Sequence, residues 1–149
     1  MADKDWVNTT GNRLGVETRI WGASGRSVCE RIEGQLGVIL GDELTEFAET
    51  VGNASVGPFM IAVGGNEQGQ MSAVAETNSA RMVNNDLPRS YVKVMEHAGE
   101  SYFYDSQSHE VHAFDSLNID PAMKTLSFSG FNKFLEWAFT EAKLQSEDQ

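Results

Sequence analysis

SYVKVMEHAGESYFYDSQSHEVHAFDS, residues 90–116, is the stretch on which the fold depends. It contains three runs rich in aromatic and β-branched residues, YVKVME, SYFYDS and EVHAFD, which are separated by the short turns HAGE and QSH. Such runs are typical of β-strands, and a short turn makes two consecutive strands antiparallel. The stretch therefore predicts a three-stranded antiparallel meander.

The third run overlaps the tetrapeptide HEVH, in which His109 and His112 flank Glu110 and raise the question of a metal site. Helical zinc proteases space their two histidines four residues apart, whereas the spacing here is three. On a strand, side chains three apart point to opposite faces of the sheet. We therefore expect no shared metal ion, and the sequence predicts neither a metal site nor a cofactor.

Two helices are predicted before the meander. In WGASGRSVCERIEGQLG, residues 21–37, Ser24 or Ser27 can act as N-cap, and Gly37 ends the helix. In GDELTEFAETVGN, residues 41–53, Asp42 can act as N-cap. Their buried faces are predicted to comprise Val28, Ile32 and Leu36 in the first helix, and Leu44, Phe47, Ala48 and Val51 in the second.

The remaining elements surround the meander along the chain. PFMIAV, residues 58–63, predicts a buried strand, and MSAVAETNSARMV, residues 71–83, predicts a helix. SFSGFNKFLEWAFTEAKLQ, residues 127–145, predicts a long helix with Ser127 as its N-cap. Helices followed by a run of strands indicate an α+β fold in which helices pack on a mainly antiparallel β-sheet.

Chain length and composition predict one domain, since 149 residues of which 40% are hydrophobic suffice for a single core. We expect an irregular segment at 1–19, the domain itself at 20–143 and a frayed tail at 144–149. Neither a membrane-spanning run nor a signal peptide is recognised, so a cytoplasmic protein is expected. The single cysteine, Cys29, is predicted to be a packed helix thiol.

The charge is strongly acidic, with 11 basic and 22 acidic residues and a formal net charge of −11. No Lys or Arg occurs between Arg31 and Arg81, or between Lys93 and Lys124, although these intervals hold many acids. A phosphate backbone requires basic residues, so direct nucleic-acid binding is not expected. The acids form either an ordinary solvated surface or a field that attracts a basic partner.

Catalytic motifs are also not recognised. The loop GGNEQGQMS, residues 64–72, has the glycine spacing of a phosphate-binding loop, but Gln70 and Met71 replace its Lys and Ser/Thr. Asp105 and Asp115 close neighbouring predicted strands and are interpreted as turn residues rather than as a hydrolytic carboxylate pair. The sequence therefore predicts no catalytic constellation.

In this order of elements the chain resembles the SUKH superfamily, which is named for a cell-wall synthesis regulator. GASGRSVCERIEGQLG is similar to the turn and helix that open the family. ILGDELTEFAETVGN is similar to its Leu-Pro-x-x-Tyr-x-x-Phe-Leu segment ending in Gly-Asn, with Gly41, Leu44 and Ala48 in place of Pro, Tyr and Leu. The meander and SFSGFNKFLEWA resemble the middle and the final helix of the family, and the resemblance covers about residues 20–142.

The resemblance implies a bacterial immunity protein that binds and neutralises a cognate polymorphic toxin domain, most often a basic nuclease or deaminase, and that is not itself an enzyme. Charge placement then predicts which acids meet the toxin. The candidates are Asp42, Glu43, Glu46, Glu49, Glu67, Glu100, Asp105 and Glu110. The alternatives are a regulatory interaction scaffold of the cell-wall regulator type and a small hydrolase that uses carboxylates.

Overall fold

The computed structural model describes residues 2–65 and 71–148 as an α+β domain with two antiparallel sheets. The predicted fold class is confirmed. The helices are α1 (Lys4–Leu14), α2 (Arg26–Leu36), α3 (Asp42–Thr50), α4 (Ala73–Val83) and α5 (Phe131–Glu147). The strands are β1 (Thr18–Trp21), β2 (Asn53–Val56), β3 (Phe59–Ala62), β4 (Tyr91–His97), β5 (Glu100–Asp105), β6 (Val111–Asp115) and β7 (Leu126–Phe128).

The first sheet has the order β1-β2-β3 and the second has the order β4-β5-β6-β7. The predicted meander is β4-β5-β6. Its first turn is a two-residue hairpin loop, because His97 pairs with Glu100 and both Ala98 and Gly99 have positive φ. This backbone fits a type I′ turn, whose twist matches that of the flanking strands. The two sheets meet where the Phe59 ring of β3 contacts His97 of β4.

The second sheet is buried on both of its faces, which explains the dense hydrophobic pattern of SYFYD. Tyr102 and Tyr104 point into the main core beneath α5, whereas Phe103, between them on β5, packs on the opposite face. There it joins a smaller cluster that includes Tyr91 and Phe114 and is covered by α4. The aromatic residues of the meander therefore supply two cores rather than one.

The N-terminal segment corrects a prediction, because residues 4–14 form helix α1 instead of irregular chain. Asp3 caps this helix by accepting the Trp6 N–H, and Trp6 packs edge-on against Phe139 of α5. Gly11 weakens the helical pattern of the sequence, yet a Cβ here would lie 2.6 Å from Thr18 Cγ2. Contact with β1 therefore requires a poor helix former within α1.

Helix boundaries correct several further predictions. The N-caps of α2 and α3 are Gly25 and Gly41, neither of which makes a side-chain capping bond, rather than Ser24 or Ser27 and Asp42. Ser127 lies in β7, where it pairs with His112, and α5 begins after Gly130. At the other end, α5 continues to Glu147, so most of the predicted frayed tail is helical.

Candidate functional site

A cleft of about 210 Å³ lies where the β5–β6 turn meets the start of α3, and it is lined by Gly41, Asp42, Glu43, Tyr104, His109, Ser129 and Gly130. The phenol of Tyr104 is 1% exposed and forms the floor. Its Oη accepts the Gly41 N–H at 2.9 Å and lies 2.7 Å from His109 Nδ1.

His109 holds this position with an unusual backbone, since its φ is +63°. Its N–H donates to the Asp105 carbonyl at 2.7 Å, and the Asp105 carboxylate accepts the Gln107 N–H at 3.0 Å. A left-handed conformation costs a residue with a Cβ roughly 1–2 kcal/mol. The turn therefore holds a strained histidine that hydrogen-bonds to the strand before it and lies against the start of α3.

Glu43 joins α3 to the final helix. Its Oε1 accepts the Asn132 N–H at 2.9 Å, so the carboxylate satisfies one of the unpaired amides in the first turn of α5. A negative charge at this end is also favourable for the helix dipole. Glu43 is therefore part of the framework of the cleft, and a charge reversal at this position would disturb the fold as well as any interface.

Three carboxylates affect the pKa of Tyr104, whose phenol forms the floor of the cleft. Burial raises the pKa of Tyr104, the Gly41 N–H opposes that increase, and the charges of Glu43, Asp105 and Asp42 add to it. These acids come from the start of α3 and from the end of β5, which are far apart in the sequence. The fold therefore concentrates negative potential around one phenol.

The structure brings together about half of the predicted partner-binding acids. Asp42 and Glu43 line the cleft, while Asp105 and Glu110 bound the adjoining β5–β6 turn, where Asp105 N–H donates to the Glu110 carbonyl. Glu46 and Glu49 continue along α3, so that Glu49 begins about 10 Å beyond Asp42 along the helix axis.

Two candidates do not join this group. Glu100 begins β5, whereas Asp105 ends it, which places them about 17 Å apart along the strand. Glu100 instead accepts a hydrogen bond from the Thr125 hydroxyl. Glu67 lies outside the residues that the structure describes.

Two other acids of the base-free intervals, Glu76 and Glu96, lie close to a basic side chain in the folded structure. Lys93 Nζ lies 2.9 Å from Glu96 Oε1 and 4.0 Å from Glu76 Oε1. The hydrogen bond from Lys93 is the main reason that the pKa of Glu96 is lowered. The spacing of charges along the sequence therefore overstates the acidity of this part of the surface.

The two histidines of HEVH do not approach a common ion. His109 lies in the β5–β6 turn, as the predicted turn QSH indicates, and therefore does not share a strand with His112. His112 is buried on β6, with Nδ1 2.9 Å from Ser127 Oγ and Nε2 3.5 Å from Glu110 Oε1. Within residues 2–65 and 71–148, no group of three His, Cys, Asp or Glu side chains is arranged to hold a metal.

Cys29 and the Asp105/Asp115 pair give no catalytic arrangement. The Cys29 thiol is buried, and burial together with the charges of Glu49, Glu33 and Glu30 raises its pKa to about 11. A thiol of this kind is not ionised near neutral pH and is a poor nucleophile. Asp105 and Asp115 lie at opposite ends of the sheet, because Asp115 pairs with Glu100.

The sequence patterns do not identify Tyr104 and His109, which line the cleft, or the exposure of Ile39 on the α2–α3 connection. Tyr104 has the alternation of a core strand residue, and His109 is obscured by the HEVH motif. Ile39 is 79% exposed although both of its neighbours are buried, which an apolar VIL run does not reveal. The positive φ of His109 is the strongest structural signal at the site.

In the described part of the chain, no helix has both the length and the hydropathy needed to cross a membrane. No family model matches the chain, and no curated protein matches it either.

Proposed function

We propose that this chain is a bacterial immunity protein, which binds and neutralises a cognate polymorphic toxin domain of basic charge, such as a nuclease or a deaminase. The proposal rests on the resemblance to the SUKH superfamily and on the charge of the chain. In this proposal the protein acts in the cytoplasm, by binding and not by catalysis, and makes no direct contact with nucleic acid.

The observation that carries the proposal is the pair Asp42 and Glu43 at the Tyr104 cleft, beside the β5–β6 turn that Asp105 and Glu110 bound, in a chain whose net charge is −11. A nuclease must present basic residues to the phosphates of its substrate. An acidic surface can compete for those residues and, through long-range attraction, speed the encounter. This surface is therefore suited to a partner that itself binds nucleic acid.

The first experiment is capture of partners by the tagged full-length chain from its native host, at about 0.05 M and about 0.3 M salt. Bound proteins are identified by mass spectrometry. A single basic protein that is retained better at low salt, and whose toxicity the chain suppresses on co-expression, is the expected result. Several unrelated partners would favour the regulatory scaffold, and the absence of any partner would contradict both proposals.

Matched charge variants then test the surface. Asp42→Asn with Glu49→Gln removes two exposed acids of α3 and leaves Glu43 as the cap of α5. Glu136→Gln with Glu147→Gln makes the same charge change on α5. We expect the α3 pair to slow association about threefold or more at low salt and the α5 pair to have a smaller effect. Equal effects would place the contact elsewhere.

A further inference from the structure

Ile39 is an exposed aliphatic side chain in the segment between α2 and α3. It is 79% exposed, whereas Val38 and Leu40 beside it are each 7% exposed. Single exposed apolar residues are common on protein surfaces and need no explanation by themselves. Ile39 differs because of the contacts that hold its backbone and because of the concave surface on either side of it.

The backbone around Ile39 is held by hydrogen bonds on both sides. Arg81 Nη2 donates to the Leu36 carbonyl at 3.0 Å, which fixes the end of α2. Glu33 Oε2 accepts the Leu40 N–H at 2.9 Å, and Tyr104 Oη accepts the Gly41 N–H. The backbone that carries Ile39 is therefore held in place before any partner arrives, which lowers the entropic cost of ordering this segment on binding.

Clefts of opposite character flank the segment that carries Ile39. The cleft on one side, of about 350 Å³, is formed by residues 37–39 with Arg89, Ser90, Ser106 and Gln107. The cleft on the other side is the acidic one, which contains Asp42 and Glu43. An exposed apolar side chain with Arg89 in the cleft on one side and Asp42 and Glu43 in the cleft on the other resembles the anchor of a protein interface, with a charged rim around a central apolar contact.

Charge determines which occupant fits. A second copy of the chain would bring another net charge of −11 against Asp42, Glu43 and Asp105, which opposes self-association. A basic protein surface instead complements these acids. Acidic or carbonyl groups of such a partner can contact Arg89 in the cleft of about 350 Å³.

The rival surface is at the other end of the sheet, around Leu117. This residue is 97% exposed and lies in a cleft of about 610 Å³ with Glu100 and Asp115. At this end Glu100 accepts a hydrogen bond from the Thr125 hydroxyl, and Asp115 accepts the Leu117 N–H at 2.9 Å. Only Glu100 of the predicted candidates lies at this end, whereas four bound the surface near Ile39.

We propose that Ile39 is the apolar anchor of the partner-binding surface, and that a basic partner receives it in an apolar pocket while placing a cationic side chain against Asp42 and Glu43. The inference rests on the proposed immunity function, because it assumes a basic protein partner. It adds the central contact and the pocket that the partner must have.

The test compares Ile39→Ser with Leu117→Ser in the full chain. Both residues are exposed, so the urea midpoints of the two variants should match that of the wild type. The affinity of each is measured against the purified protein that the wild-type chain captures. We expect Ile39→Ser to weaken binding about tenfold or more, and Leu117→Ser to weaken it less than about twofold. A photo-reactive phenylalanine analogue at position 39, but not at 117, should cross-link to that protein in cells.

Other outcomes contradict the inference in separable ways. If Leu117→Ser weakens binding and Ile39→Ser does not, the assignment of Ile39 as the anchor is wrong, while the immunity proposal stands. If the wild-type chain is a dimer by sedimentation and Ile39→Ser is a monomer, the occupant is a second copy and the inference is overturned. If the wild-type chain captures no basic protein, the inference and the immunity proposal fail together.

Discussion

At the scale of single residues, two histidines three positions apart have different roles. His109 lies exposed in a turn and hydrogen-bonds to a buried phenol, while His112 is 3% exposed within the sheet. Burial lowers the pKa of His112, assisted by Lys124, and the charges of Glu110 and Asp105 oppose the decrease. The 3.5 Å approach of Glu110 to His112 Nε2 therefore does not outweigh desolvation.

The lowered pKa of His112 makes stability depend on pH. Below about pH 6.5 the unfolded chain protonates this histidine while the folded chain does not, so the free energy of unfolding falls as the pH decreases. The decrease ends below the folded-state pKa. We expect His112→Gln to remove this contribution, which cannot exceed about 1.4 kcal/mol per pH unit.

Urea unfolding of both chains between about pH 7.5 and pH 5 measures the effect of this substitution. Carboxylates contribute equally to the two chains, so the difference between their pH slopes reports His112. A wild-type slope no steeper than that of the variant would contradict the prediction.

At the scale of secondary-structure elements, the α2–α3 connection and the β5–β6 turn are held together at Gly41. A Cβ at this position would lie 2.5 Å from His109 Nδ1 and 2.7 Å from Tyr104 Oη. Glycine is therefore required here for close approach and not for its backbone conformation, since its φ is −77°.

Gly41→Ala should therefore destabilise the protein by about 2 kcal/mol, because it separates the Tyr104 hydroxyl from the Gly41 N–H and displaces His109. Gly34→Ala is the matched control. Gly34 lies within α2 with nothing within 4 Å of a built Cβ, so alanine should stabilise the helix by about 0.8 kcal/mol. The two variants are compared by their urea midpoints. Equal shifts would show that His109 and Tyr104 accommodate a Cβ at position 41 without loss of stability.

At the scale of the whole molecule, α1 and α5 join the N-terminal and C-terminal parts of the chain. Lys143 Nζ of α5 donates to the Leu14 carbonyl at 3.1 Å, and Trp6 contacts Phe139 with ring centroids 5.4 Å apart. Trp137 packs between the two sheets, against Phe59 and Tyr102. The main core thus includes the N-terminal segment.

Variants that each retain a single tryptophan test whether α1 unfolds together with the rest of the domain. Fluorescence of Trp6, Trp21 or Trp137 should follow urea unfolding with the same midpoint as far-UV circular dichroism of the same variant. Comparison within each variant removes the effect of the substitutions on stability. A lower midpoint for the Trp6 signal alone would show that α1 unfolds independently of the domain.

The elements that could be predicted from the sequence are those whose hydrophobic pattern lies within the element itself. Hydrophobic periodicity identified the three strands of the meander, the buried strand at β3 and helices α2, α3, α4 and α5, because each of these elements carries its own pattern. Strands β1 and β7 are short and contain no fully buried residue, and β2 has few distinctive residues, so their existence depends on pairing with distant partners. Helix α1 was missed because its packing requires a glycine.

Sequence alone determined the fold class, the meander, the packed Cys29 thiol and the large negative charge of this protein, since these follow from composition and from short periods along the chain. Only the tertiary structure decided which acids share a surface, that Glu43 caps α5, and that Tyr104, His109 and Gly41 meet. These contacts join residues up to 89 positions apart. A carboxylate in a charged run has the same letter whether it faces solvent or caps a distant helix, and only long-range packing distinguishes the two.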